Sequence, residues 1–445
     1  MSKRPIVLVH GYSDRGESFA TWARALADRG HETRTCSYET LVNEITIKDI
    51  AEGFDRALRE QAGLSGDEPF DAIVHSTGML VLRAWLTSYD RRRDRVRHLV
   101  GLAPATFGSP LAHKGRSWVG AIFKGRKELG PDFLEAGNLV LDALELGSRF
   151  TWGLAEKDLG GSHVTYGDTH HTPYAFVFCG TRGYTGLAGL LNQKGGDGTV
   201  RWAGCALDSR LFRLDFTQGP AAPRAEERAS AAPCLNADIP LHLVEGVNHG
   251  TILTRPTPEL VELVHGALLV NSAADYQRWL AEARRRTRAA REAVDEWQQF
   301  VVRAVDERGD PITDFNLQLF TTDGQRLVPF DTDVHVYGAD RSLRCFHVNL
   351  TRLKQRAART LRVRVVASSG TRYVTYRGHG GEIPSSLDDG SRAGGRWDAQ
   401  VDISSLIGDD SLRFFYPFTT TRIELRLDRE PQPLTGPPLI MRFLP

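Results

Sequence analysis

The stretch "DAIVHSTGML", Asp71 to Leu80, decides how the first two-thirds of the chain are read. Its apolar run, Ala72 to Val74, leads into a histidine, a serine and a Thr-Gly pair, and "MLVLRAWL" follows with the texture of a helix. A strand, a small-residue turn and a helix form the context that holds a serine at a sharp bend, hydroxyl exposed, beside a helix N-terminus. The pattern expected there is G-x-S-x-G. This chain has V-H-S-T-G, with Gly78 in place and Val74 where the first glycine would stand. Alone, the match is weak, since many buried serines follow strands, so its meaning depends on partners elsewhere.

Around this stretch, short β-branched runs alternate with helical segments, which predicts a mostly parallel sheet flanked by helices. Strands are expected at Pro5 to His10, Glu32 to Tyr38, Phe70 to His75, Val96 to Leu102, Tyr174 to Cys179 and Pro240 to Glu245. Helices are expected near Ser18 to Arg29, Ile47 to Gln61, Gly78 to Tyr89 and Pro258 to Leu269. Some seventy residues, Pro104 to Pro173, separate the fourth and fifth strands, too many for a plain crossover. They contain "WVGAIF" and the helix-like "PDFLEAGNLVLDALELGSRF" and read as an inserted cap. "TQGPAAPRAEERASAAPC" reads as a mobile loop. From Ala273 to about Gln299 a charged helix is suited to joining domains, and beyond it eight runs such as "QFVVRAV" and "LRVRVVASS" alternate apolar and polar residues between turns. The predicted organisation is an α/β domain over residues 1–270 with its cap at about 105–173, a connecting helix at 271–299, and an antiparallel β-sandwich or barrel over 300–445.

With 56 basic against 55 acidic residues the chain has no net-charge reason to seek nucleic acid. Its five cysteines are scattered, without C-x-x-C spacing, which fits a reducing compartment. The apolar run near the N-terminus is too short for a signal-peptide core, and no run approaches a membrane span, so a cytoplasmic location is expected. Signal-free export is compatible with the same sequence.

Three further stretches supply partners for Ser76. "VLVHGYSD" puts His10, Gly11 and Tyr12 at the carboxyl edge of the sheet, where open α/β folds bind ligands. The backbone N–H groups of Tyr12 and Thr77 can converge there on a developing oxyanion. "NQKGGDGTV" sets Asp197 among glycines after the fifth strand, where a carboxylate can turn inward and accept backbone hydrogen bonds. "LHLVEGVNHGTIL" puts His249 just past the sixth. Asp168 and Asp208 are alternative acids without the strand-end placement. His75 and His10 read as packing residues, because a second catalytic partner would have to face the same way at a diverging bend. His170-His171 lacks spaced metal-ligand partners, and the acidic clusters Asp331, Thr332, Asp333 and Asp388-Asp389 read as solvated turns, with calcium as the alternative. The run Arg284, Arg285, Arg286, Arg288 and Arg291 reads as a solvated helix face.

Ser76, Asp197 and His249 fall in the order serine, aspartate, histidine, each just after an expected strand. This is the order of the α/β-hydrolase triad. At these residues the chain resembles the α/β-hydrolase superfamily, and within it the bacterial lipases and esterases. "IVLVHGY" resembles their oxyanion loop, "VHSTG" their nucleophile elbow, "GGDGTV" their acid turn, "NHGTIL" their histidine loop, and "APATFGSPLA" the segment after the next strand. The resemblance spans roughly residues 4–270 and implies a minimal sheet lacking the first two strands of a full-length hydrolase. It implies hydrolysis of lipid-like or other acyl esters by Ser76, His249 and Asp197 through an acyl-enzyme, without cofactor or metal. Gly11 and Met79 are expected to contact the substrate, and an apolar cap favours an acyl group. The C-terminal β domain is a candidate for contact with a membrane surface. The alternatives are a non-catalytic scaffold of the same fold, or an acyltransferase or thioesterase using the same triad.

Overall fold

The computed structural model describes residues 4–12, 16–38, 44–88, 94–112, 138–160, 165–167, 172–217, 229–233, 239–321, 324–327, 330, 332–354, 361–371, 374–377, 396–402, 404 and 414–431. They fall into two units.

The first unit comprises 1–209, 234–296 and the short stretch Phe418–Thr420. Its sheet contains β1 (Ile6–Val9), β2 (Thr33–Cys36), β3 (Phe70–His75), β4 (Val96–Leu102) and β5 (Tyr174–Gly180). Strands β6 (Ser209–Asp215) and β7 (Ala229–Pro233) then leave it, and β8 (Leu241–Val244) completes it. The order is β2-β1-β3-β4-β5-β8, and every pairing is parallel. Residues of β1, β3, β5 and β8 are buried throughout, as expected when helices cover both faces of a parallel sheet. The direction of strand succession reverses at β1, which has β2 on one side and β3 on the other. Such a switch point opens a crevice at the carboxyl ends of the strands, and here those ends carry Gly11 and Ser76.

The helices are α1 (Ala20–Ala27), α2 (Ile47–Glu60), α3 (Gly78–Ser88), α4 (Asn138–Leu144), α5 (Arg149–Asp158), α6 (Trp202–Cys205), α7 (Thr251–Thr254), α8 (Pro258–Ala267) and α9 (Ala273–Glu292). Local signals set several ends: Thr46 and Asp49 form a reciprocal capping box at α2, while Thr257 caps α8 with a proline in its first turn. The cap stretch read as one helix is two. The chain turns after Leu144, and the Ser148 hydroxyl accepts from the Thr151 amide to open α5. "WVGAIF" lies outside the described residues. The helix read as a connection leads into the strand Trp297–Asp306 and is also packed. Helix α9 buries Tyr276, Trp279, Leu280 and Ala283; Trp279 meets Phe176 edge-on at 4.6 Å, and the Tyr276 hydroxyl donates to the Ala175 carbonyl at 3.1 Å.

The second unit comprises 210–233, 297–417 and 421–445. It adds β9 (Trp297–Asp306), β10 (Phe315–Thr321), β11 (Val334–Val336), β12 (Leu343–Asn349), β13 (Leu361–Ser368), β14 (Val374–Arg377), β15 (Arg396–Asp402) and β16 (Thr420–Pro431). One sheet has the order β10-β13-β15; the other runs β11-β12-β9-β16-β6-β7, with β14 paired to β16. Alternate residues of both sheets, among them Leu317, Val363 and Val365 from the first and Phe300, Phe346 and Leu425 from the second, form one apolar core, the signature of a sandwich. The boundaries therefore differ from those read in the sequence. Residues 210–233 join the C-terminal sheet, and part of the stretch expected to be a loop is β7, antiparallel to β6.

Candidate active site

At the carboxyl edge of β1 the His10 ring stacks on Tyr38 at 4.3 Å. Its Nε2 accepts from the Tyr38 amide at 3.1 Å, so Nδ1 carries the proton and donates to the Gly11 carbonyl at 2.9 Å. His10 is thus a brace of the loop that carries Gly11 and Tyr12.

Ser76 follows β3 with φ of +52°, a left-handed conformation that costs a non-glycine residue about 1–3 kcal/mol and persists only where its surroundings enforce it. The enforcement is visible: the Ser76 amide donates to the Leu102 carbonyl at 3.2 Å, and the Ser76 carbonyl accepts from the amides of Ala105 (3.1 Å) and Met79 (3.2 Å). Two glycines let the β1 loop and the elbow meet. A Cβ at Gly78 would lie 2.6 Å from the Val9 carbonyl oxygen, and one at Gly11 would lie 2.9 Å from Ser76 Cβ. Val74, where the pattern has glycine, is fully buried in register between Val9 and Gly101. Its partner in register on β4, Gly101, leaves room for Met79 Cε, which lies 2.7 Å from where a Cβ would stand.

The three expected residues come together. The Ser76 hydroxyl lies 3.1 Å from His249 Nε2, and His249 Nδ1 lies 2.9 Å from Asp197 Oδ2. Both Asp197 and His249 are wholly buried, and Ser76 is 4% exposed. Asp197 Oδ1 accepts from the amides of Thr199 (3.0 Å) and Val200 (2.9 Å), and Oδ2 also accepts from the Cys179 thiol at 3.5 Å. Burial raises the Cys179 pKa well above the ordinary thiol value, so it stays protonated and donates. The loop of His249 is fixed by Asn248, whose Oδ1 accepts from the amides of Gly250 and Thr251. His75 adds a second support: its Nε2–H donates to the His249 carbonyl at 3.0 Å, and the two rings lie 4.7 Å apart. Burial, reinforced by the neighbouring His249, pushes the His75 pKa well below the usual histidine value, which keeps it neutral. It packs, as expected, and also carries this hydrogen bond.

Beside Ser76 lies a small, partly open cleft. Tyr12, Ser76 and Thr77 border it; Ala105, Leu111, Ala112, Leu141 and Leu144 make it apolar, and Ser109 and Thr199 complete it. Gly11 and Met79, expected to touch substrate, do not line it. Gly11 faces Ser76 Cβ from below, and the fully buried Met79 packs its Cε over Gly101 of β4. Of the alternative acids, Asp168 lies outside the described residues with His170 and His171, and the carboxylate bonded to His249 Nδ1 is that of Asp197. Asp331, Asp388 and Asp389 also lie outside them, and among the described residues no group of three or more His, Cys, Asp and Glu converges as metal ligands would. The described residues include no helix long and apolar enough to cross a membrane.

Sequence reasoning missed the Cys179 donor and the anchor of the cap. Arg83, two turns into α3, makes a fully buried bidentate pair with Asp158 at the end of α5 (2.6 and 2.9 Å) and donates to the Thr106 carbonyl at 2.7 Å. The Tyr166 hydroxyl donates to the same carboxylate at 2.8 Å.

Among solved structures, the phospholipase PlaB from Legionella pneumophila superposes with a TM-score of 0.76 at 21% identity, covering 98% of this chain and 97% of that one. The fold is that of the α/β-hydrolases. Another structure of that phospholipase, in complex with thio-NAD, gives a TM-score of 0.74 at 21% identity over 95% and 93% of the two chains. The match to PlaB runs through both units, so the α/β-hydrolase fold and the appended β-sheets are shared together. A Bacillus licheniformis lipase, BlEst2 in its mature form, matches 60% of this chain and 92% of its own at 16% identity with a TM-score of 0.39. No family model matches the sequence, and no curated protein matches it.

Proposed function

We propose that the chain is a serine hydrolase that cleaves carboxylic esters of lipid-like or other acyl compounds. The observation that carries this reading is the continuous bond path Ser76–His249–Asp197, at 3.1 and 2.9 Å, ending on a serine held at a left-handed bend beside an apolar cleft. His249 Nε2 takes the proton of Ser76 as its oxygen attacks the ester carbonyl, and Asp197 holds the imidazole tautomer and stabilises the imidazolium. The amides of Tyr12 and Thr77 face the developing oxyanion. His249 then passes the proton to the leaving alcohol, and water releases the acyl group by the reverse sequence. Aliphatic side chains from the cap, Leu141 and Leu144, favour an acyl chain in the cleft. The name of the PlaB phospholipase supports a lipid ester.

The test is turnover of p-nitrophenyl esters of increasing chain length and of phospholipid vesicles by the wild type and Ser76→Ala. The variant should lose about 10⁴-fold or more in kcat with an unchanged melting temperature. Turnover that survives the substitution overturns the assignment of Ser76 as nucleophile, and a wild type that neither hydrolyses any of these esters nor reacts with a fluorophosphonate overturns the reading in favour of a non-catalytic scaffold.

A further inference from the structure

Thr77 stands directly after Ser76 and directly before α3. A threonine there is ordinarily explained as a helix cap, its hydroxyl accepting from an amide in the first turn. That explanation fails here: the Leu80 and Val81 amides donate to the Thr77 backbone carbonyl, at 2.8 and 3.2 Å. The hydroxyl itself has no hydrogen-bond partner among the described residues, although Thr77 is 0% exposed. A buried hydroxyl without a partner is destabilising relative to valine or alanine in the same place, and such groups are rare enough to require a reason. The residue borders the cleft beside Ser76.

We propose that the Thr77 hydroxyl is a third hydrogen-bond donor to the substrate carbonyl oxygen as it becomes an oxyanion, a further catalytic residue of the hydrolytic site. The inference rests on the serine-hydrolase reading above. In the acylation step the bond from Ser76 Oγ to the carbonyl carbon forms and the carbonyl π pair moves onto oxygen. The Ser76 proton goes to His249, and the Thr77 O–H donates a hydrogen bond to the new oxyanion and keeps its proton. A donor left unpaired in the free site gains its partner as charge develops, the condition for stabilising the transition state more than the ground state.

The experiment compares wild type, Thr77→Val and Thr77→Ser for kcat and KM on p-nitrophenyl butyrate, and for inhibition by a trifluoromethyl ketone that adds to the nucleophile as a tetrahedral hemiketal. Removal of one oxyanion donor costs about 10²–10³-fold in kcat where few donors serve, and with two amides remaining a loss of about tenfold or more is expected for Thr77→Val. KM should stay within about twofold, the ketone should weaken by the same factor as kcat, and Thr77→Ser should restore kcat to within about threefold of wild type. Thr77→Ala carries the same comparison if the valine variant does not fold. Wild-type kcat in the hydroxyl-free variant, or a serine variant as impaired as the valine one, overturns the inference alone. An absence of Ser76-dependent turnover overturns the hydrolase reading, and this inference with it.

Discussion

Ser76 keeps its left-handed backbone because the residues around it leave no other arrangement, and Gly78 is where this constraint is tightest. Substituting Gly78→Ala would put a methyl group 2.6 Å from one backbone carbonyl oxygen and 2.8 Å from another, those of Val9 and His10. Neither can swing away, so α3 must move relative to β1 and carry the elbow with it. Displacements near 1 Å at a reacting atom cost about 10²-fold in rate, and the variant is expected to lose at least that much in kcat/KM on a p-nitrophenyl ester. Gly53→Ala in α2, with nothing within 4 Å of the new carbon, is the control; it should raise stability by about 0.5–1 kcal/mol in denaturant titration. Much of this scale was legible in the sequence: Ser76, Asp197 and His249 each follow a recognisable strand, and glycines mark the close approaches. The accommodation of Val74 was not. Its place in the sheet, between Val9 and Gly101, depends on a register of β3 with β1 and β4 that exists only in the folded sheet.

Among the elements, α3 carries both the elbow and the anchor of the cap. The side chains of Arg83 and Asp158 are each 0% exposed and held by charge-assisted and polar hydrogen bonds, with the Phe107 ring against the guanidinium. Breaking such a pair strands the surviving charge away from water, which costs about 3–5 kcal/mol, while replacing both members with apolar residues is far milder. Asp158→Asn is therefore expected to lower unfolding stability by about that amount in urea titration, and Arg83→Met combined with Asp158→Leu to recover part of the loss. A double variant no more stable than Asp158→Asn would show that the network acts by packing rather than charge. Helix ends with side-chain caps, such as Thr46 at α2, could be read from local residues. The Arg83–Asp158 pair could not, because it joins positions 75 apart, one on α3 and one at the end of α5, that only the folded chain brings together.

At the scale of the whole molecule, the alternating runs of the C-terminal third each became a strand, because a period of two is a local signal wherever one face of a sheet is buried. The hairpin β6–β7 escaped notice. Ala229–Pro233 is rich in alanine and ends in proline, residues with poor strand propensity, and only its pairing with β6 makes it a strand. Its placement changes what truncation does. A chain ended at Glu296 removes β16, the hydrogen-bonded neighbour of β6, and leaves an open strand edge that invites association with other chains. That fragment is expected to elute from size exclusion as aggregate. One also lacking the hairpin, with 210–233 replaced by a short Gly/Ser linker, should be the more soluble of the two. Equal solubility would show that the hairpin tolerates loss of its neighbour.

The same hairpin imposes an order on synthesis. β7 leaves the ribosome roughly 190 residues before β16 begins, which at about 5–20 residues per second is on the order of ten to forty seconds. Throughout that interval the N-terminal sheet can close with β8 while β6 waits with its edge unclaimed. The interval before β16 is made, rather than the stability of the finished protein, is where the nascent chain is most exposed to aggregation, and codon choice or chaperone supply over residues 234–420 should govern its yield.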